Sequence, residues 1–407
     1  MKTAEPTYSL LKNLDVVFLL LSGVVVTFAI EKLNAPLIAI LFAAQLFVLI
    51  KNKKANLKIT WYFWCLMALF SLNLLGLLYT ENLPKGFEMI GRQISFLLFP
   101  LFYGVYQIKN IALLFRVYCV SIFVLIFLFE LDTVYRFLYK SDTFPLSLDL
   151  FLSYRYTGAE LTKLLGVHNA YFGMYILFSN TLILNQLRQV KSTRIFALLF
   201  LLICVQSLFL LQMVAKTAII SNSILVVGSI IYILIKQKKL KLLFFVATLI
   251  ALFAYFSSSY LKLPLERITE RFEELNQGKK AERETRIKLW NAALPIIENN
   301  PIIGVGTGDV QDHLHAVYKK NNITSKSNIH NQYLDYLMRY GIIGLFIFLY
   351  VLGYALIHAY KTSNFIYFCF TLIVMGCCFT ENILSRQWGI TFYTCFNYLL
   401  YLNAKKD

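Results

Sequence analysis

Long apolar runs separated by short polar links make up most of the chain. Each run approaches the roughly 20 helical residues that cross a hydrocarbon core of about 30 Å. Membrane strands would be about half as long and would alternate polar and apolar residues, so the runs predict helices. They lie near residues 14–30, 34–50, 59–79, 90–107, 111–131, 166–185, 194–214, 217–235, 241–260, 332–356, 363–384 and 388–402. The pattern predicts an all-α polytopic membrane protein with about 12 transmembrane helices.

The basic residues predict how these helices are oriented. If the N-terminus is cytoplasmic, every inward link carries a lysine or arginine, with clusters at 51–58, 188–194 and 236–241. The short outward links carry far fewer, which is the asymmetry that orients helices in a bilayer. Both termini are therefore expected in the cytoplasm.

Two long links then fall on the outer side. The first, 132–165, contains an apolar patch, and the larger one, 261–331, has helical spacing over 267–275 and 285–297. The predicted organisation is nine helices with this first outer loop over 1–260, a large outer loop over 261–331, and three helices over 332–407.

Composition supports this interpretation. The chain is 58% hydrophobic and 15% charged, which excludes a water-soluble globular protein. Its net charge of +17 lies in short clusters between apolar runs, so we expect no nucleic-acid partner. The seven cysteines fall in apolar segments and predict no disulfide framework. The first run lacks a small-residue cleavage pattern, which favours a retained helix over a signal peptide.

Ionisable and amide side chains collect at the outer helix ends and in the large outer loop. Such groups are costly at membrane depth and usually face a cavity or a partner. Several cations at one level would attract a phosphate or pyrophosphate. The candidates are Arg92, His168, Asn169, Lys216, Arg286, His330, Glu381, Asn382 and Arg386. We expect a site beside the outer-leaflet headgroups.

These candidates also have structural interpretations. Arg92 and Lys216 could only snorkel to the interface, and His168 could be a satisfied core histidine. Arg386 could pair with Glu381. The two asparagines are compatible with helix capping or polar packing between helices.

His330 and Arg286 carry the clearest chemistry. His330 precedes a helix that enters the membrane, and an imidazole there can act as a general base on a sugar hydroxyl near neutral pH. Arg286 offers a planar fork for phosphate, and Trp290 one turn later offers an apolar anchor. A surface helix with one arginine is the alternative.

Two further motifs carry less weight. The glycine-rich segment 300–308 could cradle a phosphate through backbone N–H groups, but it lacks a P-loop ending and a preceding strand, which favours a turn. His313 and His315 beside Asp312 are weak evidence for a metal. We therefore expect neither a metal nor a cofactor.

Several motifs occur in order along the chain from about Glu81 onward. They are Arg286-x-x-x-Trp290, Asn300-Pro301-x-x-Gly304-x-Gly306-x-Gly308, His330-Asn331-x-Tyr333-Leu334, Tyr340-Gly341-x-x-Gly344-Leu345, the segment 167–172, Ala215-Lys216-Thr217-Ala218 and the segment 379–382. Together they resemble the O-antigen ligase and polymerase superfamily. Members of that family join lipid-linked glycans to acceptors.

The resemblance implies a GT-C-like fold and a large periplasmic loop in a multi-pass protein of the bacterial inner membrane. The expected donor is a polyprenyl (undecaprenyl) pyrophosphate-linked glycan, and the expected acceptor is lipid A-core or another glycan. Family roles make His330 catalytic, near the attacking hydroxyl, with Glu381 as a second base or orienting partner. Substrate contacts are expected from Arg286, Lys216, Arg92, His168, Arg386, Trp290 and Asn331. Lys216 stands where many members have arginine, which puts bidentate phosphate binding in doubt there.

Alternatives within the superfamily remain open. A polymerase would use a second lipid-linked repeat unit as acceptor, and a protein O-oligosaccharyltransferase would use a Ser or Thr hydroxyl. A transporter of lipid-linked glycans belongs to a different class. It would be expected to show paired repeats and ionisable residues near the bilayer midplane.

Overall fold

The computed structural model describes residues 36, 38–40, 42–43, 59–105, 110–141, 146–151, 153, 155–236, 286–323 and 325–404. Within these ranges the regular structure is helical and no strand occurs. The main helices are α1 (Trp61–Leu77), α2 (Leu83–Gln93), α3 (Ser95–Val105), α4 (Ile111–Tyr139), α5 (Asn169–Leu187), α6 (Thr193–Gln212), α7 (Lys216–Lys236), α8 (286–299), α9 (Val310–Lys320), α10 (Gln332–Lys361), α11 (Phe365–Thr380) and α12 (Gln387–Asn403). Shorter helical segments occur at Leu148–Phe151, Gly158–Leu165 and Ile383–Ser385.

Three of these helices, α4, α6 and α10, are long and apolar enough to cross a membrane. They expose large apolar side chains such as Phe127, Leu208 and Phe346. Helices that are hydrophobic on their outward faces are typical of membrane spans. α1, α11 and the Lys216–Tyr232 part of α7 are apolar but shorter. The chain is therefore a helical membrane protein.

The predicted helix bounds agree closely with several observed ones. The run 194–214 corresponds to α6, 217–235 to α7 and 388–402 to α12. The helix predicted over 285–297 is found over 286–299. The runs 14–30 and 241–260, most of 34–50, and the helix at 267–275 lie outside the described residues. The count of about 12 spans and the GT-C comparison stay predictions.

Two predicted boundaries were wrong. The run 90–107 is not one helix, because α2 ends at Gln93 and α3 begins at Ser95 with Pro100 inside it. A loop was expected from residue 132, but α4 continues through Tyr139. Within this extension Arg136 pairs with Asp132 one turn earlier, at 2.8 Å, which is the spacing that supports a helix.

The centre of the bundle is formed by α5 and α12. Almost every residue of these two helices is buried. α5 packs against α6, α7 and α11, whereas α12 packs against α3 and α11. Aromatic rings fill the contact, and Phe178 lies edge-on to both Tyr118 and Phe370. The starts of α5 and α12 meet, because the Tyr175 hydroxyl donates to Trp388 O at 3.0 Å.

A kink at Gly341 fixes the outer loop onto α10. Gly341 has φ 62° and ψ −161°, a region that is essentially restricted to glycine. A Cβ there would lie 2.2 Å from the carbonyl of Ile302. The amide of Ile342 donates to Pro301 O at 2.8 Å. Past the kink, residues 342–361 measure about 30 Å at 1.5 Å per residue, which is one membrane thickness.

Candidate active site

His330 and Glu381 form a hydrogen-bonded pair where α10 begins and α11 ends. His330 Nδ1 lies 3.0 Å from Glu381 Oε2. The Glu381 side chain is 5% exposed and the imidazole 27% exposed, so the carboxylate is buried and the imidazole reaches solvent. His330 has a left-handed backbone with φ 48°, and its amide donates to Asn328 Oδ1 at 3.1 Å. A strained residue of this kind is typical of functional sites.

The surroundings of Glu381 favour its ionised form. Burial acts to raise the pKa of this carboxyl, but the hydrogen bond and charge of His330, the charge of His168 and the Asn382 N–H act against it. The net pKa lies below the ordinary value. Glu381 is thus a carboxylate that can hold a proton on His330 Nδ1, which leaves Nε2 able to accept one.

Arg386 and a second histidine, His168, lie around this pair. The charges of Glu381, Arg386 and His330 all act on the pKa of His168. The four groups therefore lie in one region. Desolvation and the neighbouring cations lower the pKa of His168, although Glu381 opposes them. Arg386 is exposed. Glu381 has His330 as its ion-pair partner in the described part of the chain, so the pairing of Arg386 with Glu381 is not found.

Arg92 reaches the same region from α2. Its NH1 donates to Ser385 O at 3.4 Å, and its NH2 pairs with Glu88 one turn earlier. Ser385 directly precedes Arg386, so the two guanidinium groups enter from neighbouring segments. Arg92 already pairs with Glu88, and the binding of an anionic substrate by Arg92 and Arg386 stays a prediction.

Trp290 contacts the site through the residue before His330. Its Nε1 donates to Ile329 O at 2.9 Å, and its ring lies edge-on to Phe379. Arg286 occupies the first described position of the same helix and is half-buried. The described contacts bring Trp290 to His330, whereas the contact of Arg286 with pyrophosphate stays a prediction.

Lys216 begins α7 and is exposed. The turn before it is held against the start of α5, because Asn169 Nδ2 donates to Met213 O at 3.1 Å. His168 occupies the N-cap of α5, where its Nδ1 accepts from the Ala170 amide at 3.3 Å. The Lys216 and His168 segments are therefore neighbours, and phosphate binding by Lys216 stays a prediction.

Asn331 has a structural role that the sequence did not predict. Its side-chain oxygen accepts from the amides of Tyr333 and Leu334 at 3.0 and 3.1 Å, and thereby caps α10. Its own amide donates to Asn382 Oδ1 at 2.7 Å. The residue is 4% exposed, so any substrate contact would occur beside its capping role.

The glycine-rich segment is a packed turn. The amides of Val305 and Gly306 donate to Met338 O and Arg339 O, and the amide of Thr307 donates to Gly76 O. These donors are already used within the protein, so they are not aimed at a phosphate. The segment instead joins the outer loop to α1 and α10.

The histidine pair on α9 forms no metal cluster. His313 and His315 are exposed, and His315 Nε2 lies 2.9 Å from Gln311. Asp312 pairs with Lys85 and accepts from Asn82. Across the residues that the structure describes, no group of three His, Cys, Asp or Glu side chains is placed to hold a metal ion.

Sequence reasoning missed a buried polar network below the pair. Asp335 and Arg339 are 5% and 9% exposed and pair at 3.1 Å along α10. Gln332 Oε1 accepts from the Leu384 amide at 2.6 Å, and Ser385 Oγ donates to Asp335 at 3.2 Å. Their spacing along one face of an apolar helix was the available signal.

Comparison with known proteins found one matching family model. Residues 199–349 match the family model described as O-antigen ligase. The matched range contains Lys216, Arg286, Trp290 and His330, whereas Glu381 follows it. No curated protein matches the chain significantly. Residues 199–349 are therefore similar to the O-antigen ligase and polymerase superfamily, whose members are enzymes of the glycosyltransferase and ligase type that act on lipid-linked glycans.

Proposed function

We propose that the chain transfers a glycan from polyprenyl pyrophosphate to an acceptor hydroxyl at the periplasmic face of the bacterial inner membrane. The preferred acceptor is lipid A-core. The observation that carries the proposal is the His330–Glu381 pair, buried on the carboxylate side and open on the imidazole side. Cations at Arg92 and Arg386 flank it.

In the proposed reaction the acceptor oxygen attacks the anomeric carbon with inversion. The acceptor O–H proton passes to His330 Nε2, while Nδ1–H remains bonded to Glu381. As the new C–O bond forms, the bond from the anomeric carbon to the pyrophosphate oxygen breaks and polyprenyl pyrophosphate leaves. General-base catalysis of this kind contributes about 10²- to 10⁴-fold to the rate.

The leaving group accounts for the surrounding cations. Charge develops on the departing pyrophosphate, and fixed positive groups stabilise it most where water is excluded. Arginine binds phosphate through two parallel N–H bonds, whereas Lys216 would act as a point charge. Pyrophosphate is already a good leaving group, so the proposed chemistry requires neither a metal nor ATP.

Replacing His330 with alanine tests the proposal. The assay uses an undecaprenyl-pyrophosphate-linked oligosaccharide and lipid A-core, and measures released undecaprenyl pyrophosphate together with glycosylated product. We expect H330A to lose transfer, while the exposed control H313A keeps it. Native turnover by H330A would exclude a catalytic role for His330.

Two outcomes would redirect the proposal. In cells, deletion of the gene should leave long polymer accumulated on the lipid carrier if the chain is a ligase. Loss of the long chains themselves would favour a polymerase. Movement of the glycan across a vesicle membrane without a covalent product would favour a transporter.

A further inference from the structure

The carboxylate of Asp335 has a complete shell of donors below the catalytic pair. Arg339 NH2 and Asn382 Nδ2 each lie 3.1 Å from Oδ1. Ser385 Oγ and Gln332 Nε2 lie 3.2 and 3.3 Å from Oδ2. Removing one partner of such a buried pair leaves an uncompensated charge, which is costly. The arrangement therefore holds its members in one geometry.

Asn382 connects this shell to both members of the catalytic pair. Its Oδ1 accepts from the amide of Asn331, the residue after His330, at 2.7 Å. Its own amide donates to Glu381 Oε1 at 3.0 Å. Its orientation is fixed because the opposite end of the same amide group is bonded to Asp335.

Arg339 extends the shell to the outer loop. Its NH1 donates to Thr307 O, and Thr307 Oγ1 donates to Asn73 O of α1 at 2.7 Å. The Gly306 amide returns a bond to Arg339 O at 3.0 Å. Asp335 is thus oriented by a residue that is itself held between two structural elements.

We propose that Asp335 is a positioning residue that acts through Asn382 to set the separation of His330 and Glu381. This inference rests on the proposed function. Neither catalytic residue lies inside a helix, so neither helix alone fixes their distance. A displacement of about 1 Å in reacting groups can cost about 100-fold in rate.

The test uses D335N, N382A and the double variant. D335N places an amide NH₂ group against donors that contact a carboxylate in the native protein. N382A removes the side chain that links Asp335 to the catalytic pair and leaves the Asp335–Arg339 ion pair intact. We expect each single variant to lower kcat about 100-fold with little change in donor KM. The double variant should fall no further, because both changes break one connection.

The pH profile gives a second measurement. Glu381 faces His330 from the start of α10 and His168 from the start of α5, and Tyr171 and Arg386 lie in the same region. Loosening the contact with His330 should raise the pKa of Glu381, and the acidic limb of kcat/KM that reports the ionisation of Glu381 should move to higher pH. The matched control is N397A, which removes a buried asparagine bonded to Tyr62 and Tyr367 and should lower folded yield without moving that limb.

The outcomes separate this inference from the proposed function. A raised KM with native kcat, or native kcat and pH profile in folded N382A, would overturn the positioning role. Native turnover by H330A would instead overturn the proposed function. Inactive H330A together with native N382A would reject only the role of Asp335.

Discussion

Changing Glu381 to glutamine separates the charge of this residue from its shape. In the native protein both carboxylate oxygens accept hydrogen bonds, one from His330 Nδ1 and one from the Asn382 amide, each at 3.0 Å. A glutamine has one oxygen for these two donors. If its NH₂ group faces the Asn382 amide, that bond is lost. If it faces His330, the bond is kept only when the imidazole carries its proton on Nε2, which can then no longer accept one.

The size of the effect follows from that lost bond. Hydrogen bonds to charged groups contribute about 1.5–3 kcal/mol, and 1.36 kcal/mol corresponds to a factor of about 10 in rate. If the lost bond orients His330 in the transition state, kcat should fall about 10- to 150-fold. Donor KM should change little, because Glu381 is buried and faces the imidazole.

The assay follows release of undecaprenyl pyrophosphate under saturating donor and acceptor. E160Q is the matched control, because Glu160 pairs with Lys163 on the surface at 2.9 Å. Surface pairs of this kind contribute about 0–1 kcal/mol to stability, so E160Q should remain native in both kcat and KM. An E381Q protein with native kcat would refute the orienting role of the carboxylate.

Three further outcomes are expected. Because burial lowers the pKa of His168, its stabilising contribution is present above about pH 6.5 and is lost on acidification. H168N keeps a cap, so its thermal midpoint should fall less than that of the native protein below that pH, and an equal fall would contradict the role of His168. G341A should sharply lower folded yield, since its Cβ would meet backbone at 2.2 Å, while G353A on the same helix has open space and should fold normally. I303C should react poorly with a membrane-impermeant maleimide, because Ile303 lies beside the kink at the predicted membrane boundary. K319C should react, and equal labelling of the two variants would contradict that boundary.

The hydrophobic pattern predicted a helix well where the length of the apolar run or its helical period is sufficient to define it. The run 194–214 and the periodic segment 285–297 both appear within a few residues of their predicted bounds. A continuous hydrophobic run in the sequence does not show where a helix within that run breaks. The boundary between α2 and α3 and the kink at Gly341 therefore required tertiary information, since both depend on packing against other segments.

The same distinction holds for the site. His330 and Glu381 were predicted because ionisable groups are rare in an apolar chain, and the structure brings them together across 51 residues of sequence. Asp335 was missed because it resembles a polar position in an amphipathic turn. Local spacing could reveal the Asp335–Arg339 pair, but not the bond to Ser385, which lies 50 residues away.

The exposed and the buried residues of the site are expected to have different kinetic roles. Arg386 and His168 are exposed at the rim, where they can meet a charged donor before any bond changes. Asp335 and Asn382 are almost fully buried and bond to each other and to neighbouring protein groups. Interactions made equally with substrate and transition state change KM, whereas those realised only in the transition state change kcat. Rim substitutions should therefore mainly weaken donor capture, and substitutions in the buried network should mainly slow the chemical step.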